Sequence, residues 1–381
     1  MTNARRPTKS GDAQRGGAER RPEPERERLA SAKARLEWRP ILFALLAAAL
    51  FGAGVPASKP LLGVLTPFQL AGLLYLGAAV GVAPTAARAS GGLRLPRAGD
   101  RNRLRLFGAI AAGGVAGPLL LLFGLRLAGA ASVSLWLCFE VVATALLGAL
   151  FFRDRIGGRG AAGVSCALAG AVLLSSGEGA SGFAAGGLLI AACTCWGLDN
   201  HLTAMIDGIT PSQTTFWKGL VAGAVNLAIG AGGAPLAGSA AHVAGAIAVG
   251  TLSYGASIAL LISASQELGA TRAQSVFASA PFFGALFAML FLGEALGAAH
   301  LAAAFLFAAG VALLSLDRHA HSHTHAAHEH EHAHRHDDGH HEHPHPGQPR
   351  ALWHTHRHRH EPMVHAHLHW PDLHHRHDDG D

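Results

Sequence analysis

From Pro40 onward the chain alternates between long apolar runs and short polar interruptions. A helix on the surface of a soluble core carries a polar stripe along one side, whereas these runs are apolar all round. Ten of them read as helices, at 40–58, 67–87, 105–124, 131–152, 159–176, 183–205, 212–230, 242–263, 272–292 and 298–316. Helices of about 20 residues, rising ~1.5 Å per residue, match the ~30 Å hydrocarbon layer of a bilayer. The predicted fold class is an all-α integral membrane protein with ten transmembrane helices.

The pattern also repeats itself. Phe151-Phe152-Arg153-Asp154-Arg155-Ile156-Gly157 leads into a run ending Gly170-Ala171-Val172-Leu173-Leu174-Ser175. At a shift of 140, Phe291-Leu292-Gly293-Glu294-Ala295-Leu296-Gly297 leads into Gly310-Val311-Ala312-Leu313-Leu314-Ser315. Thr66-Pro67-Phe68-Gln69 answers to Thr210-Pro211-Ser212-Gln213 at a shift of 144, and Phe51-Gly52 to Trp196-Gly197 at 145. A drift of a few residues is what loops of unequal length produce between two copies. The predicted organisation is an N-terminal arm (1–38), a first unit (39–176), a second unit (183–316) and a C-terminal tail (317–381).

Composition agrees, since half the residues are hydrophobic and only 14% are charged. The 48 glycines suit membrane helices, which associate by close contact of small residues. Cys138, Cys166, Cys193 and Cys195 lie inside apolar runs without the spacing of a zinc or redox pair, and read as small buried hydrophobes. The arm is rich in Arg, Glu and Pro and is expected to be disordered; it shows no signal-peptide pattern. Positive charge gathers in the arm (Arg26, Arg28, Lys33, Arg35, Arg39) and in the even-numbered loops (Arg88–Arg105, Arg153–Arg159). The odd-numbered loops hold only Lys59 and Arg126. By the positive-inside rule both termini are cytoplasmic. Five spans per unit is an odd number, so the second unit enters from the opposite side, as an inverted repeat.

A charge in the middle of a membrane helix costs about 2.5–3.5 kcal/mol on insertion scales, so each one is a functional candidate. Glu140 lies in the fourth span with apolar neighbours on both sides; its counterpart is Ala280, followed by the helix-loosening Pro281. The sixth span carries Asp199, Asn200 and His201, and the seventh carries Lys218 at a similar depth. An Asp199–Lys218 ion pair would neutralise both charges, leaving His201 either proton-sensitive or a simple helix-end group. These residues are the candidate substrate or translocation site. Asp154 and Glu294 stand just before the last span of each unit and read as N-terminal helix caps.

After Asp317 the chain changes character, with 23 of the 26 histidines at 319 or beyond, mostly as His-x-His. The candidate metal ligands are His319, His321, His323, His325, His328, His330, His332, His334, His336, His354, His356, His358, His360, His365, His367 and His369. In an extended chain alternate residues share a face, and neutral imidazole suits Zn, Ni, Co or Cu. The tail has too little apolar content to build a core and is expected to be disordered, with several exchangeable sites. Charge gained below about pH 6.5 would also favour contact with the membrane surface.

The two five-span units, the aromatic-Gly pair early in each, and the acidic-x-x-Gly turn before a Gly-x-x-Leu-Leu-Ser helix resemble the EamA-like transporters of the drug/metabolite transporter superfamily. The resemblance covers 39–316 and leaves the tail outside it. It implies a ten-helix inverted-repeat carrier of the bacterial inner membrane, working by alternating access around a central cavity. Three readings stay open: a carrier whose tail is linked to metal transport or tolerance, an exporter of an organic metabolite or amino acid with the tail as metal store or regulator, and a metal sensor without transport. The expected partners are the lipid bilayer, a small-molecule or metal-ion substrate and a second copy in a homodimer, with no nucleic acid and no required cofactor. The sequence shows neither an ATP-binding P-loop nor a nucleophile–base constellation, so neither a primary pump nor an enzyme is expected.

Overall fold

The structure is a computed structural model describing residues 23–89, 92–96, 101–151, 156–177, 179–206, 208–268, 270–316, 320–325, 328–334, 354–360 and 363–368. Residues 1–39 and 40–381 form separate compact units. The first is helical from Glu23. The Glu/Arg/Ala-rich segment there has high intrinsic helix propensity; Pro24 occupies the first turn, and Pro40 lies inside the helix.

The rest of the chain, as far as Leu316, is helical. Helices α1 (Glu23–Gly52) and α2 (Gly54–Leu61) are followed by α3 (Pro67–Arg88). Next, α4 (Arg101–Ala109) and α5 (Gly117–Leu127) flank a π-helical stretch at Ile110–Ala116. Helices α6 (Ala130–Trp136) and α7 (Phe139–Phe151) precede α8 (Gly158–Gly177). The second unit runs through α9 (Gly179–Ala204), α10 (Pro211–Gly233), α11 (Ala240–Val249), a second π stretch at Gly250–Ala256, α12 (Ser257–Leu268), α13 (Ala270–Phe277), α14 (Ala280–Leu292) and α15 (Ala298–Leu316). Among the described residues nine helical stretches are long and apolar enough to cross a membrane. The tenth expected span, α10, is a 23-residue helix outside that set, its hydropathy lowered by Gln213, Lys218 and Asn226.

The irregularities repeat along with the sequence. Both π stretches are seven residues long and stand 140 residues apart. The break between α6 and α7, at Leu137-Cys138, is matched by the break between α13 and α14, at Ala278-Ser279. Helices α3 and α10 begin with the same capping box. Thr66 accepts from the Gln69 backbone N–H and Gln69 from that of Thr66; Thr210 and Gln213 do likewise. Each box satisfies two otherwise orphaned amides, and Pro67 and Pro211 fill N1, where no amide donor is needed.

Equivalent helices pack against each other in antiparallel fashion through small residues. Gly72 lies against Leu227, Gly223 against Leu76 and Gly230 against Gln69, so α3 and α10 run in opposite directions. Helices α8 and α15 do the same. A Cβ on Gly163 would lie 2.8 Å from the Gly310 carbonyl, and one on Gly310 would lie 2.9 Å from that of Gly163. Such backbone contact tolerates no side chain, which is why glycine is retained in these helices despite its ~1 kcal/mol propensity penalty.

The repeated motifs make their contacts across the two units. Gln69 donates to the carbonyls of Ala234 and Pro235 beyond α10 (3.0 and 3.2 Å), while Gln213 donates to the Gly92 carbonyl beyond α3. Gly52 abuts the Ala280 carbonyl, and Gly197 abuts Ala143 and Thr144. Glu294 corrects an expectation. It does cap a helix, but that helix is α6 of the other unit rather than the α15 that follows it. Its two carboxylate oxygens accept from the Ala130 and Ala131 amides, each at 2.8 Å. The left-handed turn at Gly293 (φ 68°) ends α14 immediately before it. Asp154, its sequence counterpart, lies outside the described residues.

The described parts of the tail are extended. Strand β1 (Ala320–His325) pairs antiparallel with β4 (Met363–Leu368), and β2 (His328–His334) with β3 (His354–His360). The strict alternation of histidine with other residues has the period of a pleated strand. His319, His336 and His369 fall outside the described residues.

Candidate functional site

Four features converge on one layer of the helical body: the first turn of α7, the end of α9, the middle of α10 and the first π stretch. Glu140 is the second residue of α7, just beyond the helix break, and is half-buried. A carboxylate in the first turn of a helix is favoured by the unpaired amides and the macrodipole there. Its oxygen Oε1 accepts from the Asn200 side-chain amide at 2.9 Å. The same Asn200 nitrogen lies 3.3 Å from the Thr144 hydroxyl, which itself donates to the Glu140 carbonyl at 2.8 Å. One residue further on, His201 Nε2 is 2.9 Å from the Thr144 carbonyl. A carbonyl only accepts, so this ring nitrogen carries the proton.

The ion pair read from the sequence is present. Lys218 Nζ lies 2.6 Å from Asp199 Oδ2, with the Asp199 side chain only 6% exposed and that of Lys218 20%. The Thr203 hydroxyl donates to the other Asp199 oxygen at 3.0 Å. Removing two charges from water is costly, and a pair this close with additional hydrogen bonds offsets that cost. Glu140 differs from Asp199: among the described residues its hydrogen-bond donor is the neutral Asn200 amide.

The π stretch explains how Asp199 fits. A Cβ on Gly113 would collide with Asp199 Oδ2, so the acidic side chain lies directly on the glycine backbone. A π-turn shifts carbonyls away from their usual i+4 partners and frees them for side chains. The Gly113 carbonyl accepts from the Tyr75 hydroxyl (2.6 Å) and from Trp196 Nε1 (3.1 Å), and the Gly114 carbonyl accepts from Asn226 Nδ2 (3.2 Å). Among the described residues, Asn226 Oδ1 is buried without a hydrogen-bond partner. Tyr75 also stacks on Tyr254 of the second π stretch, with ring centroids 6.3 Å apart.

Glu140, Asp199, Asn200, His201 and Lys218 therefore gather in one place. Pro281 does not join them. It occupies the first turn of α14, whose Ala280 and Gly284 pack on Gly52 and Ser134. Its effect is on the helix break, since proline at that position needs no amide partner. Sequence reasoning singled out none of Tyr75, Gly113, Thr144 and Asn226 as site residues. One signal was available: the chain has only two tyrosines, both inside apolar runs, against 17 phenylalanines. Among the described residues no group of three or more metal-ligating side chains comes together.

A bundle of long apolar helices packed through glycine, with broken and π-helical segments around a few buried charges, defines a multi-pass membrane protein. The model of the EamA-like transporter family matches residues 38–176 and again 185–316, and the chain belongs to that family. The family model thus matches the chain twice, and neither match extends beyond residue 316. A solved crystal structure aligns with a TM-score of 0.50 over 73% of this chain and 97% of its own, at 21% identity, and supports the fold. No curated protein matches the chain.

Proposed function

We propose that the protein is a secondary, alternating-access carrier of small cationic solutes, with Glu140 as the exchangeable carboxylate of its translocation site. The observation that carries this is the charge balance of the cluster. Asp199 and Lys218 neutralise each other at 2.6 Å, whereas Glu140 is held by a neutral amide. An ionised carboxylate at that depth is stabilised by a counter-cation, and a solute cation or a proton can supply one. Such a site binds a metal ion or an organic amine in exchange for protons. Asn200 orients the carboxylate, and the Asp199–Lys218 pair fixes the end of α9 against α10.

The antiparallel packing of α3 with α10 and of α8 with α15 supports an inverted pair of five-span units, with α10 as the tenth crossing. In such carriers the discontinuous helices of the two halves surround the substrate and absorb the rocking between outward and inward states. The matching breaks before Glu140 and before Pro281 suit that role. The distribution of Lys and Arg supports cytoplasmic termini, and the family resemblance implies the bacterial inner membrane. On this reading the tail binds Zn, Ni, Co or Cu beside the inner opening, either delivering a metal substrate or sensing metal for a carrier of amines or amino acids.

Purified protein in proteoliposomes tests the proposal. Imposed proton gradients should drive flux of either a transition-metal ion or an amine, and Glu140→Gln should abolish it while the protein stays folded. Metal flux assigns the tail to delivery, and amine flux assigns it to sensing. Equal flux through wild type and Glu140→Gln refutes the site. Labelling that places the two termini on opposite faces refutes the inverted ten-span arrangement.

A further inference from the structure

The loop between α3 and α4 is charged beyond what its fold requires. From Arg88 to Phe107 the chain carries six arginines (Arg88, Arg94, Arg97, Arg101, Arg103, Arg105) against one acid, Asp100. The counterpart after α10, from Ala234 to Val249, carries no Lys, Arg, Asp or Glu. Yet both loops are gripped in the same way, by the Gln69 and Gln213 side chains of the two capping boxes. The grip therefore does not need the arginines.

The described part of the loop is pinned to the ends of α9 and α10. Gln213 donates to the Gly92 carbonyl, and Trp217 Nε1 to that of Arg94 at 2.7 Å. Arg103 Nε donates to the Pro96 carbonyl at 2.8 Å, and Arg105 Nη1 to the Met205 carbonyl at 2.7 Å. A mixed surface is left facing outward. Arg88, Arg94, Arg101 and Arg103 are exposed, and so are Leu93, Leu95, Leu104 and Phe107, the last two by 73% and 70%. The inward side of α4 holds Asn102, Leu106 and Ala109 instead. Arg88 closes one apolar span and Arg101 opens the next. The surface thus stands at headgroup depth, where leucine and phenylalanine reach acyl chains and guanidinium groups reach phosphates.

We propose that Arg88, Arg94, Arg101 and Arg103, with the four apolar side chains among them, form a docking surface for anionic phospholipid headgroups. Charge complementarity names the occupant. Guanidinium forks pair bidentately with phosphate oxygens, and basic clusters beside a span draw anionic lipid from the leaflet they face. The exposed leucines and phenylalanine favour a phosphate that arrives with acyl chains over a free one. Because the backbone is pinned, the four arginines are presented in a fixed arrangement. Lipid docking here does not depend on which solute crosses the protein.

Full-length protein in neutral detergent is titrated with phosphatidylglycerol, with phosphatidylcholine and with inorganic phosphate. Native mass spectrometry counts bound lipid, and the melting temperature is followed in parallel. Phosphatidylglycerol should stay bound and raise the melting temperature, whereas phosphatidylcholine and inorganic phosphate should do neither. Arg88→Gln with Arg101→Gln touches none of the hydrogen bonds above. It should weaken phosphatidylglycerol binding by about tenfold or more and leave melting without lipid unchanged. Arg159→Gln with Arg272→Gln removes two exposed arginines near the starts of α8 and α13 and should change binding by less than about twofold. Equal weakening by the two double variants overturns the surface, because diffuse charge then accounts for the contact. Equal binding of phosphatidylcholine overturns it as well. Stabilisation by inorganic phosphate alone assigns the arginines to a free anion and overturns lipid docking. As a second measurement, hydrogen exchange in nanodiscs should show more protection at 93–95 and 101–107 with phosphatidylglycerol than with phosphatidylcholine. Equal protection in the two lipids overturns the placement.

Discussion

Glu294 carries the most direct prediction, because its role follows from two distances. Both carboxylate oxygens accept from the first amides of α6, Ala130 and Ala131, at 2.8 Å. Those residues are 0% and 1% exposed, so neither amide has water as a substitute partner. Hydrogen bonds to a charged acceptor contribute about 1.5–3 kcal/mol each, and a buried amide left unpaired costs about 1–3 kcal/mol. Glu294 itself is only half-buried, which places the total toward the lower end. We therefore expect Glu294→Ala to destabilise the protein by about 2–4 kcal/mol, and Glu294→Gln, which keeps one acceptor, by roughly half as much. Thermal unfolding in detergent measures the loss, and hydrogen exchange locates it. Protection should fall in a peptide covering Ala130–Trp136 and stay unchanged at the start of α15. A loss of protection at Ala298–His300 with α6 unaffected would show that Glu294 caps its own following helix, and the cross-unit assignment would be wrong.

Gly113→Ala should displace Asp199, since the new Cβ would collide with its carboxylate oxygen; we expect at least about 2 kcal/mol of destabilisation from overpacking alone, read as a lower melting temperature. Lys218→Met leaves the 6%-exposed Asp199 without its cation and should cost about 3–5 kcal/mol, with most of that recovered in the Asp199→Asn/Lys218→Met double variant. A double variant as unstable as Lys218→Met would mean that the lysine acts through packing and not charge. Gln69→Ala loses its capping-box acceptor and its donation to the loop beyond α10, and should destabilise by about 1–3 kcal/mol in the same assay, whereas an effect under a few tenths would show that the cross-unit tie is not needed.

The apolar runs and their duplication were legible in the chain because bilayer thickness and helical rise impose a length that shows directly in one dimension. The abundance of glycine announced close packing, and the Thr-Pro-x-Gln stretches were legible as counterparts in the two copies. The Asp199–Lys218 pair was legible as well, since charges at similar depth in neighbouring spans must find each other. Sequence alone did not reveal that Glu294 caps α6, that Gly113 makes room for Asp199, or that Tyr75 and Trp196 share one π-helical carbonyl. Each of these joins residues far apart in the chain, and a carbonyl freed by a π-turn leaves no mark in residue identity. The chain thus determined which segments are helices and that they come in two copies. Only the tertiary structure decided which copy each motif serves, because the two units complete each other's helix ends across their interface.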